Sequence, residues 1–228
     1  MAIMQNFFSP KAVDVDRVLL VSYPKVFKNE ELRKESRVSR SRVSEVSQAL
    51  LHRNLAVHSE GKYRLKLTAP SRLLNEWATI HDFTRTTKFV DYYSPEQDIS
   101  KFLETLKEVK TIKYALTGLA GALLVAPFVR PTNIHLYVEN EKDAEELANL
   151  LDLVPVEANG NVKIAIAGSL GSLGVFYGAE KRDGIWVVSL PQLYVDLYNY
   201  PARGREAAKE VYKVIGDNWE ARKASTNV

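Results

Sequence analysis

The chain has 228 residues, of which 46% are hydrophobic and 26% charged, with a net charge of +3 and no cysteine. Without cysteine there are no disulfides and no thiolate metal sites, and no apolar run reaches the ~20 residues that a membrane-spanning helix needs. The opening stretch MAIMQNFFSP lacks the basic start and long apolar run of a secretory signal, so the sequence reads as cytoplasmic, with no membrane contact.

The charge is unevenly spread. Between Ser36 and Arg72 eight Lys or Arg stand against two Glu, an excess of six, and the other residues together carry a net −3. A basic segment joined to a mildly acidic remainder fits a module that meets a polyanion. A solvated charged face is the bland alternative.

In chain order, Asp14–Tyr23 predicts a helix with Val15, Val18 and Leu19 on one stripe, stopped by Pro24. Asn29 can cap a second helix, where Glu30 and Glu31 suit the positive end. Ser39 can cap a third. On a helical wheel Val43, Val46, Ser47 and Leu50 share one side, while Ser41, Glu45, Gln48 and His52 lie opposite, flanked by Arg42 and Ser44. Arg40 and Arg42 sit in the first turn, where cations are mildly unfavourable, so a compensating partner is expected. Asn54 stands where a left-handed residue often closes a helix. Then come a strand from Leu55, a Gly61-containing turn and a strand from Tyr63, with Leu65 and Leu67 alternating with Arg64 and Lys66.

This series, "VSRSRVSEVSQALLHRNLAVHSEGKYRL", resembles the turn, third helix and wing of a winged helix-turn-helix domain. The resemblance implies double-stranded DNA as partner, with the third helix in the major groove and the wing near the backbone. It assigns Arg40, Ser41, Arg42, Ser44, Glu45 and Gln48 to the groove, and Lys62 and Arg64 to the phosphates. Glu45 can accept from cytosine N4 or pair with Arg42 or Arg53. A winged helix used only for protein contacts is the alternative.

A short helix over Ala69–Ile80, carrying Leu73, Leu74 and Trp77, completes the first module. Residues 81–93 read as irregular and Thr-rich, so the division expected is 1–80, a linker 81–93, and 94–228. In the second module Asp98–Val109 is an amphipathic helix. A strand (Lys113–Thr117), a helix (Gly118–Ala126), a strand (Asn133–Val138) and a helix (Lys142–Leu151) follow. Strand-like runs come at Leu153–Glu157, Val162–Ala167, Gly174–Tyr177 and Ile185–Ser189, then helices at Pro191–Tyr198 and Arg203–Ile215. The fold class is α+β, a winged helix-turn-helix domain before a domain with a mixed sheet.

"YALTGLAGALLVAPFVRPTNIHLYV" (114–138) resembles the core of the nucleotidyltransferase fold, whose second strand holds Mg²⁺ through carboxylates. Here that strand has none, and Glu139 and Glu141 follow it, so no catalytic residue, metal or cofactor is assigned. "GSLGSLGVFYG" (168–178) lacks phosphate-loop spacing and reads as a structural loop. His52, His58, His81 and His135 show no metal spacing. A nucleotide-binding or nucleotidyltransferase-like enzyme built on the second module stays open as an alternative, as does a protein-interaction module.

Near the end, "VSLPQLYVDLYNYPARGREAA" concentrates Tyr198, Tyr200, Arg203 and Arg205. These residues either hold the fold together or anchor a partner protein. With "LLNEWA" and "TGLAGA", this motif is similar to the AbiEi family of transcriptional regulators and type IV antitoxins, over nearly the whole chain. The resemblance implies autorepression at an operator and a partner that is a nucleotidyltransferase-like toxin.

Overall fold

The computed structural model describes residues 8–59, 64–169 and 174–226. Among them, the first part of the chain is α1 (Pro10–Val21), β1 (Phe27–Lys28), α2 (Asn29–Ser36), α3 (Arg40–His52), β2 (Ala56–His58), β3 (Arg64–Leu67) and α4 (Pro70–Ile80). The strands form a three-stranded antiparallel sheet in the order β1-β3-β2. The two-residue β1, pairing Phe27 with Leu65, was not legible in the sequence. α1 begins at Pro10, earlier than expected, because proline at the first turn needs no hydrogen-bond partner. α2 starts at Asn29 itself, with the Lys28 N–H donating to the Glu31 carboxylate at 3.0 Å. The cap therefore lies one residue before the position read from the sequence.

The rest is α5 (Phe83–Thr86), β4 (Phe89–Tyr93), α6 (Ile99–Lys107), β5 (Tyr114–Thr117), α7 (Gly118–Val125), β6 (Ile134–Val138), α8 (Glu141–Leu150), β7 (Val154–Pro155), β8 (Val162–Ile166), β9 (Glu180–Arg182), β10 (Ile185–Val187), α9 (Leu190–Tyr198) and α10 (Gly204–Thr226). The sheet is mixed and seven-stranded, in the order β7-β4-β8-β6-β5-β10-β9. β6 runs parallel to β8 and β5 to β10; the remaining pairs are antiparallel. The α+β class expected from the sequence is the one observed.

Three local expectations are corrected. Residues 81–93 are not irregular: Asp82 caps α5, and Phe89–Tyr93 pairs with β8 as an inner strand of the large sheet. Gly174–Tyr177 is not a strand, since Gly174 (φ 72°) and Gly178 (φ 71°) bend the chain into turns. α10 continues well past Ile215, because Trp219 beyond it is buried, edge-on to Tyr23, and donates to the Leu20 carbonyl at 3.3 Å.

The strand register sorts the sheet into two faces. Thr117, His135 and Lys163 stand side by side on one face, with Ala115, Tyr137 and Ala165 in the next row. α9 lies over this face and places the Asp196 carboxylate against Thr117 and Tyr137. Leu116, Leu136 and Ile164 line the other face and are fully buried.

Candidate nucleic-acid interface and the network behind it

α3 is held by its apolar stripe. Val43, Val46 and Leu50 are buried against α1 and α2, each worth roughly 1.5–3 kcal/mol of transfer free energy. Ser39 caps the helix as expected, its Oγ accepting from the Arg42 N–H at 3.3 Å. Asn54 takes the left-handed conformation (φ 54°) that ends it. Burying one side leaves the other in solvent. Arg40, Ser41, Ser44, Glu45, Gln48 and His52 are exposed and Arg42 is partly so. All six residues assigned to the groove therefore share one open face.

Arg42 pairs with Glu45 at 2.9 Å; the side chains are 37% and 62% exposed. Such a pair is worth at most about 1 kcal/mol, so the guanidinium can turn to another acceptor at little cost. Arg53 is engaged elsewhere, donating to Glu76 of α4 at 2.6 Å, and Arg72 donates to the same carboxylate. Of the two wing residues, Arg64 is half-buried on β3, while Lys62 lies outside the described residues.

At the other end of the chain, Arg205 lies over the Tyr198 ring at 3.7 Å and donates to the Tyr198 carbonyl at 3.3 Å. Arg203 pairs with Glu206 at 2.7 Å and stacks on Phe128, which is 49% exposed. Tyr200 points inward instead, packing edge-on to His135 and near Phe83. Tyr198, Arg203 and Arg205 thus share a surface with Phe128, which sequence reasoning had not singled out.

Behind both surfaces runs a buried polar chain that sequence reasoning missed. Arg17 of α1, 2% exposed, donates to Asp14 at 2.7 Å and to the Gln192 side-chain carbonyl at 2.9 Å. Gln192 passes its amide N–H to Asp196 at 2.7 Å. Asp196, fully buried, also accepts from Thr117 at 2.6 Å and Tyr137 at 3.3 Å and meets His81 Nε2 at 2.9 Å. Burial lowers the Arg17 pKa from its ordinary value, opposed by Asp14. Burial, followed by the neighbouring Asp196 charge, raises Tyr137 well above the usual phenol value, so it remains a donor. The available signal was one arginine in an apolar helix ("VDRVLL") and a glutamine and an aspartate four apart in another.

His135 sits beside this chain, among Phe83, Phe89 and Tyr200, and its Nδ1 has no hydrogen-bond partner among the described residues. Burial first, then the Lys163 charge, pushes its pKa down to about 4. Among the described residues no group of three His, Asp or Glu is placed to hold a metal ion. No helix among them is long and apolar enough to cross a membrane.

Residues 66–216 match a family model described as "AbiEi_2: Transcriptional regulator, AbiEi antitoxin, Type IV TA system". The match runs from β3 into α10, so α1, α2 and α3 precede it. No curated protein and no solved structure matches the chain.

Proposed function

The chain belongs to the AbiEi family of transcriptional regulators, antitoxins of type IV toxin–antitoxin systems, and from that premise we propose that it is an operator-binding repressor built from two modules. Residues 1–80 act as a winged helix. α3 enters the major groove, and the β2–β3 hairpin is the wing on the adjacent backbone. Residues 94–228, with the β4 segment before them, carry the antitoxin function against a nucleotidyltransferase-like toxin. Autorepression is the regulatory consequence.

The observation that carries this reading is the open face of α3. Two arginines, two serines, a glutamine and a glutamate are displayed by a helix whose other side is fixed in a core. Arg40 and Arg42 then meet phosphates or guanine edges, which offsets their unfavourable place in the first turn. We read the second module as non-catalytic. β5, Thr117, Gly118, α7 and β6 follow one another as in a nucleotidyltransferase core, but β6 presents His135 and Tyr137 rather than carboxylates. The surface of Tyr198, Arg203, Arg205 and Phe128 is the proposed toxin contact, with Tyr200 supporting it from within.

The test is fluorescence anisotropy on an operator fragment from the protein's own promoter. Arg42→Ala and Gln48→Ala should each weaken cognate binding by about 1–3 kcal/mol and relax sequence preference. Lys62→Ala should weaken all duplexes alike and reduce the salt slope by about one. Parental binding by all three variants would show that α3 does not read DNA.

A further inference from the structure

The buried polar chain borders a half-open cavity of about 220 Å³, lined by residues of α1, α4, α5 and α9 together with Phe8, His81 and Val175. Its apolar wall includes Val13, Trp77, Ile80 and Val175; its polar wall is Arg17, His81, Gln192 and Thr86, whose hydroxyl already donates to the Asp82 carbonyl. A cavity of ~150 Å³ lined by aliphatic and aromatic side chains is large enough for benzene, so this one admits a ring with a small substituent. Its position, between the helix that supports α3 and the helix that carries Asp196, is where ligand cavities often form.

The polar wall specifies what that substituent is. Gln192 accepts from Arg17 with its side-chain carbonyl and donates one of its two amide N–H groups to Asp196. Among the described residues, three of the five Arg17 N–H groups meet Asp14 or Gln192, which leaves two as donors. Arg17 is 2% exposed, so bulk water reaches these donors poorly. The wall therefore asks for a hydrogen-bond acceptor. The two carboxylates of Asp14 and Asp196 already outnumber the one Arg17 guanidinium within the same network. A further anion would add uncompensated buried charge, which is costly, whereas a neutral carbonyl would not. The Trp77 ring, with the Arg17 guanidinium 5.4 Å from its centroid, gives a flat wall for an aromatic group.

We infer that this cavity is a binding site for a small neutral aromatic carbonyl compound, held by Arg17 and walled by Trp77. The assignment does not depend on the DNA-binding reading. Because Arg17 and Gln192 belong to different helices, the ligand bears on the joint between α1 and α9, and any compound that prefers one arrangement shifts the other's population.

The intact protein tests this with three probes: benzamide, benzoate and toluene. Benzamide is expected to bind one to one by calorimetry and to shift the Trp77 indole N–H resonance; toluene and benzoate should bind at least about tenfold more weakly. Ile80→Trp, which fills the cavity, should abolish binding without lowering the melting temperature. If Ile80→Trp destabilises the protein, Val13→Phe replaces it, and the Trp77 resonance of the parent protein still reports the location. No benzamide binding up to about 10 mM, tighter binding of benzoate, an unmoved Trp77 resonance, or binding retained in a folded cavity-filled variant would each overturn the assignment.

Discussion

Asp196→Ala tests whether the buried chain fastens α9 to the sheet. The carboxylate gathers four donors, from β5, β6, the residue after α4 and its own helix: Thr117 at 2.6 Å, Tyr137 at 3.3 Å, His81 at 2.9 Å and Gln192 at 2.7 Å. A buried donor left without a partner costs about 1–3 kcal/mol. Thr117 and Gln192 make short bonds in full burial and should each incur most of that cost. His81 is 14% exposed and can turn to water, and the Tyr137 bond is long, so these two add less. The expected loss is about 3–5 kcal/mol, a large share of the ~5–15 kcal/mol of a whole domain. Asp196→Asn keeps the volume and one acceptor and should lose about half as much. The assay is urea denaturation at pH 7, followed by far-ultraviolet circular dichroism and tryptophan fluorescence. A double-mutant cycle with Thr117→Val should give a coupling of at least about 1 kcal/mol. A loss below about 1 kcal/mol for Asp196→Ala, or zero coupling to Thr117, would refute the fastening role.

Other outcomes follow from the same geometry. His135, pushed down to about 4, is protonated more readily in the unfolded chain. Its contribution is thus full above about pH 6.5 and is lost as pH falls toward 4, by about 2–3 kcal/mol at pH 4.5; His135→Phe should flatten that part of the urea-midpoint profile. Asp16 is fully buried with neither oxygen bonded among the described residues, and burial raises its pKa well above the usual value against the pull of Arg17 and Arg53. A raised carboxyl penalises folding above the unfolded pKa, so Asp16→Leu should stabilise by roughly 1–3 kcal/mol at pH 7, with a gain in melting temperature that shrinks toward pH 4. Replacing Arg203 and Arg205 together by alanine removes an exposed ion pair and an exposed stack. It should cost under about 2 kcal/mol of stability while abolishing toxin neutralisation in a growth-rescue assay.

The parts legible in the sequence are those governed by local rules. α3 could be placed from Ser39, the Val43–Val46–Leu50 stripe and Asn54, because capping, periodicity and left-handed closure each act within a few residues. Likewise β5, α7 and β6 could be placed from their apolar runs. β1 escaped notice because two residues have no period and pair only with the distant Leu65 and Arg64. β4 escaped because "FVDYY" places Asp91 mid-strand, where its charge is met by Lys163 of β8. The exposed face of α3 followed from the wheel. The chain from Arg17 to Asp196 did not, since Arg17 and Gln192 lie 175 residues apart and only the tertiary fold brings them together.

α10 has a consequence for the order in which the molecule is made. Trp219 donates to the Leu20 carbonyl, Arg222 to the Val21 carbonyl, and Tyr23 packs edge-on against Trp219. During translation α1 leaves the ribosome roughly ten to forty seconds before these residues do, at ~5–20 residues per second. Until then the C-terminal end of α1, which supports α3, lacks the partners that cover it. A nascent chain therefore holds α3 on an unfinished support, and only a completed chain presents that helix in its final setting. A chain cut short before Trp219 would leave that support uncovered for good.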